Sequence, residues 1–220
     1  MTIEKGREWG EAARVPHDVL VAADEARLAQ AVAAHVRSGA THPVAVALLR
    51  GDLLTALGGA AGQRVVAPRV GEACRLLPCD AYEVTISRAK HTSTTFAVSS
   101  VVIGSAWRPA WWLTSGGFLG PLNVAPDSHP NDGRADALAW SDALAWSTSD
   151  LRTLLAIRRR MRRGDHLPHP NLEMSRGAAV RWHSQGSSRR VVVDGRSHGR
   201  ADAVAVTVRP DAFCLVVAAP

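Results

Sequence analysis

Aspartate and glycine stand side by side at three positions where a carboxylate could take part in chemistry. Gly51-Asp52 follows a continuous apolar run, and glycine at such a point lets the backbone approach a phosphate group closely. Asp132-Gly133 and Asp194-Gly195 lie in turn-forming sequence, and a helix cap or a tight turn is the ordinary structural use of all three pairs. Arg196 follows the third pair; its guanidinium group cannot act as a base, but it can bind phosphate.

The segments that precede and follow Gly51-Asp52 alternate between strand and helix. Residues 19–21 form a short apolar run, and Asp24 is suited to cap a helix whose apolar residues recur at helical spacing up to Gly39. Residues 44–49 are continuously apolar, as in a strand that is buried on both faces. The pattern predicts a β-α-β unit, with a second short helix over residues 53–57.

From about residue 78 the pattern is that of a β domain. Residues 82–86 alternate with period two, the runs 96–98 and 101–103 are apolar and largely β-branched, and residues 204–208 and 213–217 predict two further strands. One helix interrupts this region, with Leu154, Leu155 and Met161 on its predicted buried face and Gly164 at its end. A repeated hexapeptide over residues 136–147 predicts one long strand, because a six-residue repeat keeps side chains on the same face.

The predicted fold class is α/β plus all-β. Residues 1–77 would form a small, truncated Rossmann-like α/β part. Residues 78–220 would form an antiparallel β-sandwich domain with one inserted helix.

The composition limits the function classes only loosely. Three cysteines are too few for a disulfide framework, and no apolar run is long enough to span a membrane. We therefore expect a cytoplasmic protein. The formal charge of +6 and the pI near 10.2 would favour an anionic partner. Nucleic acid is the less favoured partner, because no base-stacking or groove-reading motif accompanies the arginines.

Three segments in the second half of the chain resemble one family in order and spacing. They are Val124–Asp136, which contains His129-Pro130-Asn131-Asp132-Gly133; Arg163–Pro170; and Val191–Gly195, followed by a strand that ends at Arg209-Pro210-Asp211-Ala212. In these segments residues 122–220 resemble the C-terminal half of the bacterial diacylglycerol kinase-like and sphingosine kinase-like lipid kinases.

The resemblance implies an ATP-dependent lipid kinase that uses Mg²⁺. It assigns Asp194 as the catalytic base, Gly51 and Asp52 to the nucleotide, and Asp132 to the metal. We add Arg196 to the nucleotide-binding residues, because its guanidinium group can bind phosphate. The sequence departs from the family at two of these points. The family's Gly-Gly-Asp-Gly-Thr loop is reduced here to Gly51-Asp52, and Arg196 stands where the family has glutamate. The alternative is a catalytically impaired relative that acts as a lipid-, nucleotide- or protein-binding module.

The same resemblance suggests the partners and the location. A lipid substrate or membrane surface and ATP are the expected partners, and the protein would then lie at the inner face of the membrane as a peripheral protein. A homodimer formed through an exposed strand edge is left open by the sequence.

Overall fold

A computed structural model describes residues 9–105, 109–140 and 148–219 of the chain, without the side chains of residues 148–151. The elements of the first part are β1 (Glu11–Arg14), β2 (Leu20–Ala22), α1 (Glu25–Arg37), β3 (Val44–Leu48), α2 (Asp52–Ala56), β4 (Ala73–Arg88), β5 (His91–Ala97), β6 (Ser100–Gly104) and β7 (Pro109–Thr114). The remaining elements are β8 (Phe118–Leu119), β9 (Leu122–Asn123), β10 (Ala135–Trp140), α3 (Thr148–Met161), β11 (Leu172–Gly177), β12 (Ala179–His183), β13 (Arg189–Val193), β14 (Arg196–Ala201) and β15 (Ala203–Ala218).

The predicted β-α-β unit is present at β2, α1 and β3. The Asp24 side chain caps α1 by accepting a hydrogen bond of 3.0 Å from the Arg27 N–H. Leu28 and Val32 of α1 are fully buried, as their helical spacing predicts. Strands β2 and β3 pair in parallel.

Two long strands form the centre of the first sheet. β4 and β15 pair antiparallel along almost their whole length, and the sheet has the order β1-β4-β15-β3-β2, with β5 also pairing β4 and β12 also pairing β15. The two strands predicted at residues 204–208 and 213–217 are one strand with a register shift between Arg209 and Phe213.

The β-α-β unit and the late strand β15 share this sheet, because β15 pairs β3 in parallel. β4 also runs through the predicted domain boundary between residues 77 and 78. That boundary stays a prediction.

A second sheet is antiparallel throughout, with the order β11-β10-β7-β6-β13-β14. A buried apolar cluster draws on both sheets; Val84 and Val206 come from the first, and Leu113 and Ala137 from the second. The hexapeptide repeat was predicted to form one strand. Its first half lies in β10, and residues 141–147 lie outside the described residues.

Helix α3 packs on the other face of the second sheet. Ile157 and Met161 are buried in one cluster with Trp112 of β7 and Leu138 of β10. The prediction that Leu155 is buried was wrong: its side chain is 43% exposed, and Ile157 occupies the buried face instead. Leu155 lies about 100° around the helix from Leu154, which is enough to turn it away from the sheet.

The structure is therefore mostly sheet, with few helices among the described residues. The N-terminal part contributes one parallel unit to a sheet that is otherwise antiparallel. Within the same residues, no helix combines the length and the apolar character needed to cross a bilayer.

Candidate functional site

Three carboxylates that are distant in sequence influence one another electrostatically. Glu25 is the first residue of α1, Asp52 is the first residue of α2, and Asp194 lies in the turn between β13 and β14. The charges of Asp194 and Asp52 both raise the pKa of Glu25, and the charge of Asp52 raises the pKa of Asp194. We call these three residues the acidic cluster. Asp52 and Asp194 were predicted as site residues from the sequence, whereas Glu25 was missed.

Asp194 is held by the backbone of a neighbouring turn. Its carboxylate accepts hydrogen bonds from the N–H groups of Val98 (2.9 Å), Ser99 (3.0 Å) and Ser100 (2.8 Å), which connect β5 and β6. Asp194 and Gly195 have φ angles of 45° and 76°, so the pair forms the predicted type I′ hairpin turn. The turn interpretation is therefore confirmed for this pair, and the structure adds that the Asp194 side chain is buried.

Burial shapes the acid–base behaviour of Asp194. Removal from water raises its pKa to about 7, although the three N–H donors act in the opposite direction. A carboxylate has about four lone-pair positions, and three are occupied here. The three hydrogen bonds favour the ionised form of Asp194, and burial, which is the larger effect, favours the protonated form.

Glu25 fills the space beside Gly51. A Cβ atom added to Gly51 would lie 2.6 Å from the Glu25 Cδ atom, and Gly51 has a φ of 153°, which side chains rarely adopt. The Glu25 Oε1 atom accepts a hydrogen bond of 2.8 Å from the N–H of Leu53 in the first turn of α2. Burial, followed by the nearby Asp194 charge, raises the pKa of Glu25 to about 8. Glycine at position 51 thus admits a carboxylate of the protein itself.

Asp52 completes the acidic cluster at the start of α2. Burial raises its pKa, and a hydrogen bond from the backbone of Gly120 lowers it. Burial is the largest cause of the raised pKa of each of the three carboxyl groups, and neighbouring carboxylates add to it at Glu25 and Asp194.

One backbone donor at the start of α2 is already used by a side chain of the protein. The free N–H groups of a helix's first turn are the donors that a phosphate would use, and Glu25 already occupies that of Leu53. Among the described residues, no group of three or more His, Cys, Asp or Glu side chains is placed to hold a metal ion.

Asp132, the predicted metal ligand, lies in a different polar group. Its Oδ1 atom accepts a hydrogen bond of 3.0 Å from the Arg134 N–H, as in an aspartate turn. Burial raises the pKa of Asp132, and Asp136 raises it further. The described contacts therefore give Asp132 a role in the loop.

The residue that anchors this loop is Asp80, in β4, which was missed. Its carboxylate accepts hydrogen bonds from the N–H of Gly133 (2.8 Å) and the N–H of Asp211 (3.1 Å), which lies in the irregular part of β15. The Asn131 side chain also donates 2.9 Å to the Asp211 carboxylate. The His-Pro-Asn-Asp-Gly sequence is thus fixed to the centre of the first sheet.

Arg196, predicted to bind the nucleotide, is exposed at the start of β14. It pairs with Val193 across the hairpin. The pKa of His198 is lowered mainly by burial of His198 and, to a smaller extent, by the charge of Arg196. These contacts place it with the surface of the hairpin, whereas the Asp194 side chain points into the protein.

A solved structure shares this fold. The structure is similar to the crystal structure of a "putative diacylglycerol kinase" from Bacillus anthracis str. Sterne, with a TM-score of 0.54 and 9% sequence identity. The match covers 91% of this chain and 77% of that chain.

A second structure of the same description and organism matches with a TM-score of 0.37 and 12% identity, over 65% of this chain and 41% of that one. No protein-family model and no curated protein matches the sequence. The chain has a diacylglycerol kinase-like fold, and the resemblance noted in its sequence is confirmed at that level.

Proposed function

We propose that this protein uses the lipid kinase fold to bind lipid and does not transfer phosphate. In this proposal residues 1–77 are a reduced Rossmann-like part, and residues 78–220 are a β-sandwich with lipid-binding capacity. The observation that carries the proposal is the hydrogen bond between the Glu25 carboxyl group and the Leu53 N–H.

Electrostatics supports this choice. A nucleotide triphosphate would bring several negative charges to a place where neighbouring carboxylates already raise the pKa values of Glu25 and Asp194, and it would oppose ionisation there further. Like charges in a site of low dielectric constant disfavour each other strongly. A divalent cation could relieve the repulsion, but the described side chains provide no group that would hold one.

The test is thermal unfolding with and without millimolar Mg-ATP. A ligand that binds only the folded state must raise the melting temperature, so we expect no shift for this protein, beside a known ATP-binding protein as a positive control. A reproducible increase that disappears in the Asp52→Ala variant would overturn the proposal.

An ATP-dependent lipid kinase is the second candidate, and the pKa of Asp194 favours it. A pKa of about 7 is well suited to a general base near neutral pH, where it would accept the proton of a lipid hydroxyl group. This candidate predicts that Mg-ATP stabilises the protein and that diacylglycerol or a sphingoid base becomes phosphorylated. Asp194→Asn should then abolish turnover while nucleotide binding is retained.

A further inference from the structure

Helix α3 has one face that is buried and one that faces outward. Leu154, Ile157 and Met161 are buried against the second sheet. They recur at spacings of three and four, which places them on one stripe of the helix. Residues that lie about 180° around the helix from this stripe therefore face away from the sheet.

Arginine dominates the outward stripe. At 100° per residue, Arg152 and Arg159 lie opposite the buried residues of α3, and Arg160 lies beside them. Arg162 and Arg163 follow directly after the end of the helix, and all five arginines are exposed. We call these five residues the arginine face.

No acidic residue stands between residues 152 and 164 to balance this charge. The helix dipole favours cations only in its last turn, and arginines three or four residues apart repel one another. Folding alone therefore does not account for so many exposed arginines on one helix. An anionic partner would stabilise the arrangement.

Two arginines at the end of the second sheet formed by β13 and β14 lie on the same face of that sheet as α3. Arg190 of β13 and Arg200 of β14 are directly opposite each other and exposed. Arg200 precedes Ala201, which is buried in the cluster between the sheets, so alternation along the strand directs Arg200 to the side of the sheet that carries α3. The face of the second sheet that carries α3 thus has exposed arginines on β13 and β14 as well.

We infer that the arginine face docks on the surface of a bilayer that contains anionic phospholipids. The outward side of α3 offers arginine together with the exposed, apolar Leu155, and Met174 at the edge of the same sheet is 41% exposed. Basic and apolar side chains on one surface helix suit a membrane interface. The outward side has no Asn, Gln or aromatic residue that would read or stack on bases.

This inference specifies the surface used in the lipid-binding half of the proposed function, and it does not depend on whether ATP binds. The experiment is co-sedimentation of the full chain, without nucleotide, with phosphatidylcholine vesicles that contain or lack phosphatidylglycerol. We expect binding only to the anionic vesicles, weakening as salt is raised.

A triple substitution tests the face itself. Near an anionic surface each arginine changes binding about fivefold, so three should weaken it on the order of 100-fold. A control with the same loss of charge replaces exposed arginines elsewhere and should keep most of the binding. The test variant carries Arg152→Gln, Arg159→Gln and Arg163→Gln, and the control carries Arg64→Gln, Arg88→Gln and Arg181→Gln.

Three results would overturn the inference. The first is that the wild type ignores anionic vesicles at physiological salt, and the second is that both triple variants lose binding equally, which would indicate net charge alone. The third comes from a parallel arm with single-stranded RNA. Tight RNA binding that requires the arginine face, without vesicle binding, would identify a nucleic-acid surface. Circular dichroism melting of both variants checks that loss of binding does not come from unfolding.

Discussion

Replacing Glu25 by glutamine removes an ionisable group from the acidic cluster while its shape and its contact are kept. The amide oxygen of glutamine can still accept the hydrogen bond that Glu25 receives from the Leu53 N–H at 2.8 Å. The side chain is also the same size, so it fits beside Gly51 as before. The substitution therefore isolates the contribution of one negative charge.

The expected effect depends on pH, and its sign follows from the raised pKa. Glu25 has a pKa of about 8 in the folded protein and an ordinary value of 4.5. Between these values the folded state holds the proton while the unfolded state has lost it, so stability falls as pH rises from 4.5 to about 8. The shift corresponds to roughly 5 kcal/mol, a large part of the about 5–15 kcal/mol typical of a folded protein.

Urea unfolding at several pH values measures this effect, and tryptophan fluorescence can follow the transition. We expect the free energy of unfolding of Glu25→Gln to exceed that of the wild type by several kcal/mol, about 3–5, at pH 8, and the difference to shrink towards pH 5. Glu173→Gln, at an exposed position of β11, is the matched control and should leave the profile unchanged. If the free energies of unfolding of the wild type and Glu25→Gln depend on pH in the same way, Glu25 is not a carboxyl group whose charge is opposed by burial and its neighbours. The proposal that Glu25 blocks the start of α2 against a nucleotide then fails.

Three further substitutions test the contacts around the site by urea unfolding. Asp194→Ala leaves three buried N–H groups without an acceptor and should lower the free energy of unfolding by about 3–5 kcal/mol. Asp194→Asn should lower it less, because asparagine accepts a hydrogen bond and tolerates the φ of 45°. Equal losses of stability in the two variants would contradict this. Gly117→Ala should destabilise by at least about 2 kcal/mol, since its Cβ would overlap the Ala125 carbonyl oxygen at a φ of 84°, and a neutral result would mean that the loop can shift. Asp80→Ala should cost about 2–4 kcal/mol and speed amide exchange at Gly133, whose N–H it holds; unchanged exchange there would show that the loop is fixed by other contacts.

Local elements were predictable from the sequence because their causes are local. The Asp24 cap, the apolar spacing up to Val32 and the glycine at position 39 placed α1 to within about two residues of its observed ends. The alternation in β10 likewise assigned Ala137 and Leu138 to opposite faces, and they lie in different buried clusters. These elements contain their own signals.

The site was less predictable because it depends on long-range contacts. Glu25 follows a helix cap and has the sequence context of an ordinary first-turn acid, so nothing local indicates that it reaches Leu53, 28 residues away. Two serines separate the apolar runs of β5 and β6, but nothing local indicates that the turn between these strands is held by Asp194, 94 to 96 residues later. The pairs Gly51-Asp52 and Asp194-Gly195 did indicate two of the three carboxylates of the acidic cluster.

The central position of β15 has a consequence for the order in which the protein can fold. This strand lies between β4 and β3, yet every other element precedes it in the chain. During synthesis β3 and β4 must therefore wait with unpaired edges until β15 emerges, and contacts between residues so far apart in sequence form slowly. An interrupted or delayed C-terminal segment would leave two apolar strands open to pairing with other chains. The assembly of the first sheet is thus coupled to the completion of translation through β15.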